Sequence, residues 1–226
     1  MKKTALAISL AAIGFALTAF VAPKVSTDNN FEGVVTYSVS TDNQQAKSML
    51  QGSSLKVYMK GNKTKACSDM GMQKITVFAD DKTPDDPTIL VEIMGNKYQL
   101  KNDPTKKEDK SPVIKYTDET KQIAGYTCHK AEVTSKDKQG QSVTTDVYYT
   151  DQLPAYTGPK GQFKGLKGFP LEYSVQQRGI SILYSATSVD RKSITDDTFT
   201  VPSGYKVMTQ EEIMQDVQKN MGGGGN

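Results

Sequence analysis

One histidine and two cysteines in 226 residues leave little material for catalysis or metal binding. A zinc site needs several His, Cys or carboxylate ligands at short spacing, and His129, Cys67 and Cys128 offer no such grouping. His129 stands beside Lys130 on an expected strand, and no Gly-x-Ser-x-Gly elbow exists to present a serine to it as a nucleophile. Cys128 adjoins it in sequence, but neighbours on a strand point to opposite faces, so the thiol and imidazole do not meet. Gly125, Gly165, Gly168 and Gly179 are isolated glycines that punctuate turns and build no phosphate-cradling loop. Acids cluster at Asp80, Asp81, Asp85 and Asp86, where prolines interrupt the spacing of a calcium loop. The expectation is therefore a protein that is not an enzyme, with no catalytic, cofactor-binding or metal-ligating residues.

Long apolar runs are also missing, with one exception. Ala5 to Val21 is apolar, follows Lys2 and Lys3, and ends in small residues, the pattern of an export signal over residues 1–22 with cleavage after Ala19 or Ala22. The run is short for a bilayer span and no cationic stop follows it. The mature chain is expected in the periplasm or outside the cell, and not as an integral membrane protein. No cysteine lies near the end of the run to accept a lipid. Excess charge of either sign is missing too, because without Lys2 and Lys3 the 28 Lys and Arg become 26, against 25 Asp and Glu. That balance leaves no electrostatic footprint for nucleic acid, and Lys56, Lys60, Lys63 and Lys65 read as the wet face of two strands.

What the chain does have is two-residue alternation. Gly33, Val35, Tyr37 and Val39 form one such series, and Leu55, Val57 and Met59 form another with Lys56, Tyr58 and Lys60 between them. The rhythm returns at Ile75, Val77 and Ala79 and at Ile89, Val91 and Ile93, separated by a loop over Asp80 to Pro87. Met94-Gly95-Asn96-Lys97 is a tight reversal before Tyr98 and Leu100, and Lys106 to Lys110 is a solvated charge run. Thr120 to Val133 reads as a glycine turn feeding the strand that carries Cys128 and His129. Gly140 turns that strand back along Val143, Val147 and Tyr149. Gln152 to Lys167, rich in proline and glycine, is expected to cross the surface. Leu171, Tyr173 and Val175 then pair across Arg178-Gly179 with Ile182, Tyr184 and Ala186, and Phe199 and Val201 are expected as a last buried contact. Two stretches follow helical spacing instead. Asp42 to Gln51 carries Ala46, Met49 and Leu50. Thr209-Gln-Glu-Glu212 is a capping box followed by Ile213, Met214, Val217 and Met221 on one face. Residues 30–221 therefore read as a single mainly β domain, and 222–226 as a disordered glycine tail.

Two cysteines in an oxidising compartment are expected to pair. A Cys67 to Cys128 bridge would close a loop of about 61 residues and stabilise the fold by roughly 4 kcal/mol in the chain-entropy model. Two buried free thiols are the alternative.

The export signal, Phe31-Glu-Gly-Val-Val-Thr-Tyr37, Tyr58-Met-Lys-Gly61, Ile123-Ala-Gly-Tyr-Thr-Cys-His-Lys-Ala131, Tyr149-Thr-Asp-Gln-Leu-Pro154 and Leu166-Lys-Gly-Phe-Pro-Leu171 together resemble a group of exported bacterial proteins built on a domain of unknown function. These are akin to the GLPGLI family and similar to the LolA-type lipoprotein-carrier fold. The resemblance implies a strongly curved antiparallel sheet, a half-barrel, with helices covering its concave face. It further implies an apolar ligand, a lipid or a lipidated partner, sheltered in that concavity, which needs a cavity to hold it. If the interior is filled, the expectation becomes an envelope component that binds a partner protein and no small ligand.

Overall fold

The computed structural model describes residues 31–80, 83, 86–101, 111–136, 140–154, 163–177 and 179–222. The expected export signal, the charge run Lys106 to Lys110, Asp81, Asp85 and the glycines after Gly222 lie outside the described residues. Alternation becomes strand where it was strongest: β1 (Glu32–Ser40), β2 (Ser54–Lys60), β3 (Lys63–Asp69), β4 (Gln73–Asp80), β5 (Thr88–Ile93) and β6 (Asn96–Leu100) form one meander. The second meander is β7 (Val113–Ile123), β8 (Tyr126–Lys136), β9 (Ser142–Thr150), β10 (Phe169–Gln177) and β11 (Ile180–Arg191). A short β12 (Lys206–Met208) follows. The two expected helices are α1 (Gln44–Leu50) and α2 (Gln210–Gly222).

All twelve strands share one open, curved sheet in the order β12-β6-β5-β4-β3-β2-β1-β11-β10-β9-β8-β7. The protein is mainly β, as expected, and every ladder is antiparallel except the last, where β12 runs parallel to β6 with Val207 opposite Gln99. The two meanders are joined where β1 pairs with β11, and Gly33 sits there because a Cβ would fall 2.2 Å from the Asp190 carbonyl oxygen. Tyr173 pairs with Tyr184 and Val175 with Ile182 across the expected β10–β11 hairpin.

The helices begin as their sequences dictate. The Asn43 side chain accepts the Ala46 N–H at 3.0 Å and caps α1. At α2 the capping box closes both ways: Glu212 accepts the Thr209 N–H at 2.8 Å and Thr209 Oγ1 accepts the Glu212 N–H at 3.2 Å. Two expectations fail. Val201 is exposed and Phe199 only half-buried, because 196–199 form one 3-10 turn at the surface. The segment between β9 and β10 does not simply cross the surface, since Leu153, Phe163 and Leu166 are buried and fill core space.

Candidate functional site

The inner face of the sheet is one continuous apolar surface. Val35 and Tyr37 of β1, Val57 of β2, Val77 of β4, Val91 of β5, Val133 of β8, Val147 of β9, Tyr173 of β10 and Tyr184 of β11 belong to a single buried cluster. Its centre is aromatic: Tyr173 stacks on Tyr184 at 5.2 Å and meets Phe163 and Tyr37 edge-on at 4.9 and 6.3 Å. Burial pushes the Tyr184 hydroxyl up to about 12, so it stays neutral.

Two pieces of the chain cover this face. One is the segment carrying Leu153, Phe163 and Leu166, held where Tyr116 Oη donates to the Gly165 carbonyl at 3.2 Å. The other is α2, which follows β12 and inserts Ile213 and Val217 into the cluster. It is tied to the sheet by the buried Tyr98 hydroxyl, which donates to Asp216 Oδ2 at 2.7 Å. Burial and the Asp216 carboxylate push that hydroxyl up to about 12, so it remains a donor at any physiological pH. The tether before α2 is held by Tyr205 Oη donating to Glu92 Oε1 at 2.6 Å and by the Lys101 N–H donating to the Met208 carbonyl at 2.8 Å.

Two hollows among the described residues lie at the margins of this interior. An open groove of about 460 Å³ lies between the end of β1, α1 and the turn into β2, lined by Val39 and Leu50 together with Thr41, Lys47, Ser48 and Ser53. A smaller one of about 170 Å³ lies between Phe78 and Phe199. Neither hollow is lined by Tyr173, Tyr184 or Phe163 of the aromatic centre, where the rings pack on one another.

On the outer face β7 carries a large bulge. Tyr116 pairs with Ala131 and Thr120 with His129, so Thr117, Asp118 and Glu119 together face Lys130. Lys130 Nζ pairs with Asp146 at 2.8 Å and with Glu119 at 3.3 Å, which holds its ammonium well above the ordinary lysine range. Hydrogen bonds from the Tyr148 hydroxyl and from Lys130 hold the Glu119 carboxyl below its usual range. Beyond the bulge the hairpin tip lies over β9 and β10. Lys121 Nζ sits 5.3 Å from the Tyr148 ring centroid and meets Glu172 Oε1 at 2.6 Å, and Glu172 also accepts from Ser185 at 2.8 Å.

Both cysteines are free, so the expected Cys67 to Cys128 bridge is not formed. Cys67 is half-exposed on β3 beside Thr76, whereas Cys128 is buried on β8 opposite Lys121, and six ladder steps separate the two strands in the sheet. Disulfide geometry needs Cα atoms within about 7 Å, which two such separate neighbourhoods do not provide. Burial and the Glu172 carboxylate push the Cys128 thiol up to about 11, leaving it a poor nucleophile near neutral pH. His129 points away from Cys128, its ring 6.0 Å from that of Tyr149. No group of three His, Cys, Asp or Glu among the described residues lies close enough to hold a metal ion. No helix among them is long and apolar enough to cross a membrane.

Sequence reasoning found the Ile213 and Val217 stripe of α2 but not Tyr98 as its anchor, because nothing local distinguishes a tyrosine whose hydroxyl meets a helix more than a hundred residues later. The signal that could have found it is its place on the dry face of β6, where a phenol needs a partner.

Residues 31–205 match the model of the DUF4412 family, a domain of unknown function, and the chain belongs to that family. No curated protein matches it. Among solved structures it is similar to MucB, with a TM-score of 0.36 and 9% identity over 78% of this chain and 59% of that one. The Pseudomonas aeruginosa MucA/MucB complex gives 0.36 and 11% over 77% and 57%, and the Mycobacterium tuberculosis lipoprotein LppX gives 0.35 and 13% over 73% and 89%. This chain thus spans under two thirds of the length of MucB.

Proposed function

We propose that this member of the DUF4412 family is an exported, non-catalytic binding protein of the cell envelope. It takes an apolar chain, a lipid tail or the anchor of a lipidated partner, onto the inner face of its sheet in the place held by α2. The observation that carries this reading is the slightness of the cover: among its described side chains α2 buries Ile213 and Val217 and rests Met214 half-buried against the core, with Tyr98 and Asp216 tying it to the sheet. Burying two such side chains and half of a third is worth roughly 4–8 kcal/mol in all. An acyl chain gains roughly 0.8 kcal/mol per methylene, so about ten methylenes match that contribution and a longer chain exceeds it. Exchange of helix for ligand is therefore within reach without a standing cavity. The mutual packing of Tyr173, Tyr184, Phe163 and Tyr37 at the centre of the inner face favours a second reading, an envelope protein that binds a protein partner and no small ligand.

The Tyr98→Phe variant separates the two. It keeps the buried ring and removes one hydrogen bond, worth about 1 kcal/mol, from the covered state alone. Global stability is expected to fall by about 1 kcal/mol while affinity for a dansylated fatty acid, followed by fluorescence, rises about fivefold, since less of the binding energy is spent displacing the helix. Unchanged or weaker binding in the variant, or no binding to the natural chain, rejects the carrier reading and leaves the protein-partner one.

A further inference from the structure

Met72 at 66% exposure and Met94 at 59% are two of the six large apolar side chains that stand in the open among the described residues. They occupy the tips of two hairpins at the same end of the sheet, Gly71-Met72 between β3 and β4 and Met94-Gly95 between β5 and β6. The tips are tied together, because the Met94 N–H donates to the Met72 carbonyl at 3.2 Å. Met70 flanks the first turn, its N–H closing that turn onto the Gln73 carbonyl at 2.9 Å and its side chain lying against the edge of the core.

Met94 is also strained. Its φ is 50°, in the left-handed region that costs an L residue with a Cβ and that hairpin turns usually give to Asn, Asp or Gly. A long apolar side chain here is unfavourable both for its backbone and for its exposure, and no burial offsets either.

We propose that Met70, Met72 and Met94 form a thioether site for a soft monovalent cation, Cu(I) or Ag(I). Thioether sulfur is a soft, neutral ligand that selects Cu(I) over hard divalent ions and never has to lose a proton to bind. Methionine is unbranched and adaptable, so three of them on two linked turns can converge on one ion. The nearby carboxylate of Asp69 is already engaged, accepting the Gly71 N–H at 3.0 Å and pairing with Lys74 at 3.6 Å, so sulfur is the ligand type the tips offer. Met72 and Met94 lie outside the buried core, and the site does not depend on the carrier reading.

The test uses the full mature chain with Cys67→Ser, which removes the half-exposed thiol that would compete for the ion, and labels the methionine methyl groups for NMR. On addition of Ag(I) the methyl signals of Met70, Met72 and Met94 are expected to move together. Met72→Leu keeps the apolar bulk and Met94→Asn suits the left-handed backbone. Each is expected to weaken Ag(I) binding by at least about tenfold while leaving the metal-free thermal midpoint no lower. Unmoved signals from Met72 and Met94, or Met72→Leu binding Ag(I) as tightly as the parent, overturn the proposal. In that case the tips are apolar surface only.

Discussion

Replacing Tyr173 by alanine is expected to remove about 4 kcal/mol of stability, the range seen when a large buried aromatic is truncated. Tyr173 is 2% exposed and holds three rings at once, Tyr184 by stacking and Phe163 and Tyr37 by their edges. Those three partners come from β11, from the segment before β10 and from β1, so the deletion loosens the seam between the two meanders and one of the two covers together. Chains of this length lose roughly 2–4 °C of thermal midpoint per kcal/mol, so a fall of about 8–16 °C is expected. Tyr173→Phe keeps every ring contact and is expected to lose under about 1 kcal/mol by urea unfolding. A loss for Tyr173→Ala no larger than that of the Phe variant would mean that the aromatic centre does not hold the meanders together.

Gly168→Ala is expected to cost about 3 kcal/mol, a large effect for one methyl group. A Cβ at Gly168 would lie 2.3 Å from the Thr150 carbonyl oxygen, 2.8 Å from its carbon and 2.8 Å from Tyr149 Cδ2. Two of those atoms are backbone of β9, which cannot withdraw without straining the Phe169 to Thr150 pairing that begins β10. The cost is steric, since Gly168 is not in a left-handed conformation. Urea unfolding checks it, and a change under about 1 kcal/mol would show that the chain re-enters the sheet by a looser path.

Much of this architecture was legible in the sequence because it is carried by local rules. The alternating series of β1, β2, β4 and β5 each have one dry face, and the capping box at Thr209 states where α2 starts. The parts that were not legible depend on distant partners. β12 is three mostly exposed residues, Lys206 to Met208, whose extended state comes from docking parallel to β6 and not from any pattern of their own. β7 has few apolar positions because it is an edge strand, and its bulge is held by Lys130 and Asp146 from two other strands. The cysteine count suggested a bridge, yet parity on each strand says nothing of how many strands intervene. The loop before β10 looked like surface from its prolines and glycines, while Phe163 and Leu166 inside it turned out to be core. Of the candidate site, the helix stripe was visible; its anchor was not.

The central claim is that an apolar chain can take the place of α2 on the inner face of the curved sheet. Native mass spectrometry of the protein, purified from its native source without detergent, tests it most directly. The account predicts a population carrying the added mass of one lipid or acyl chain, released on denaturation. A bare protein mass in repeated preparations, unchanged after incubation with acyl lipids, would contradict it.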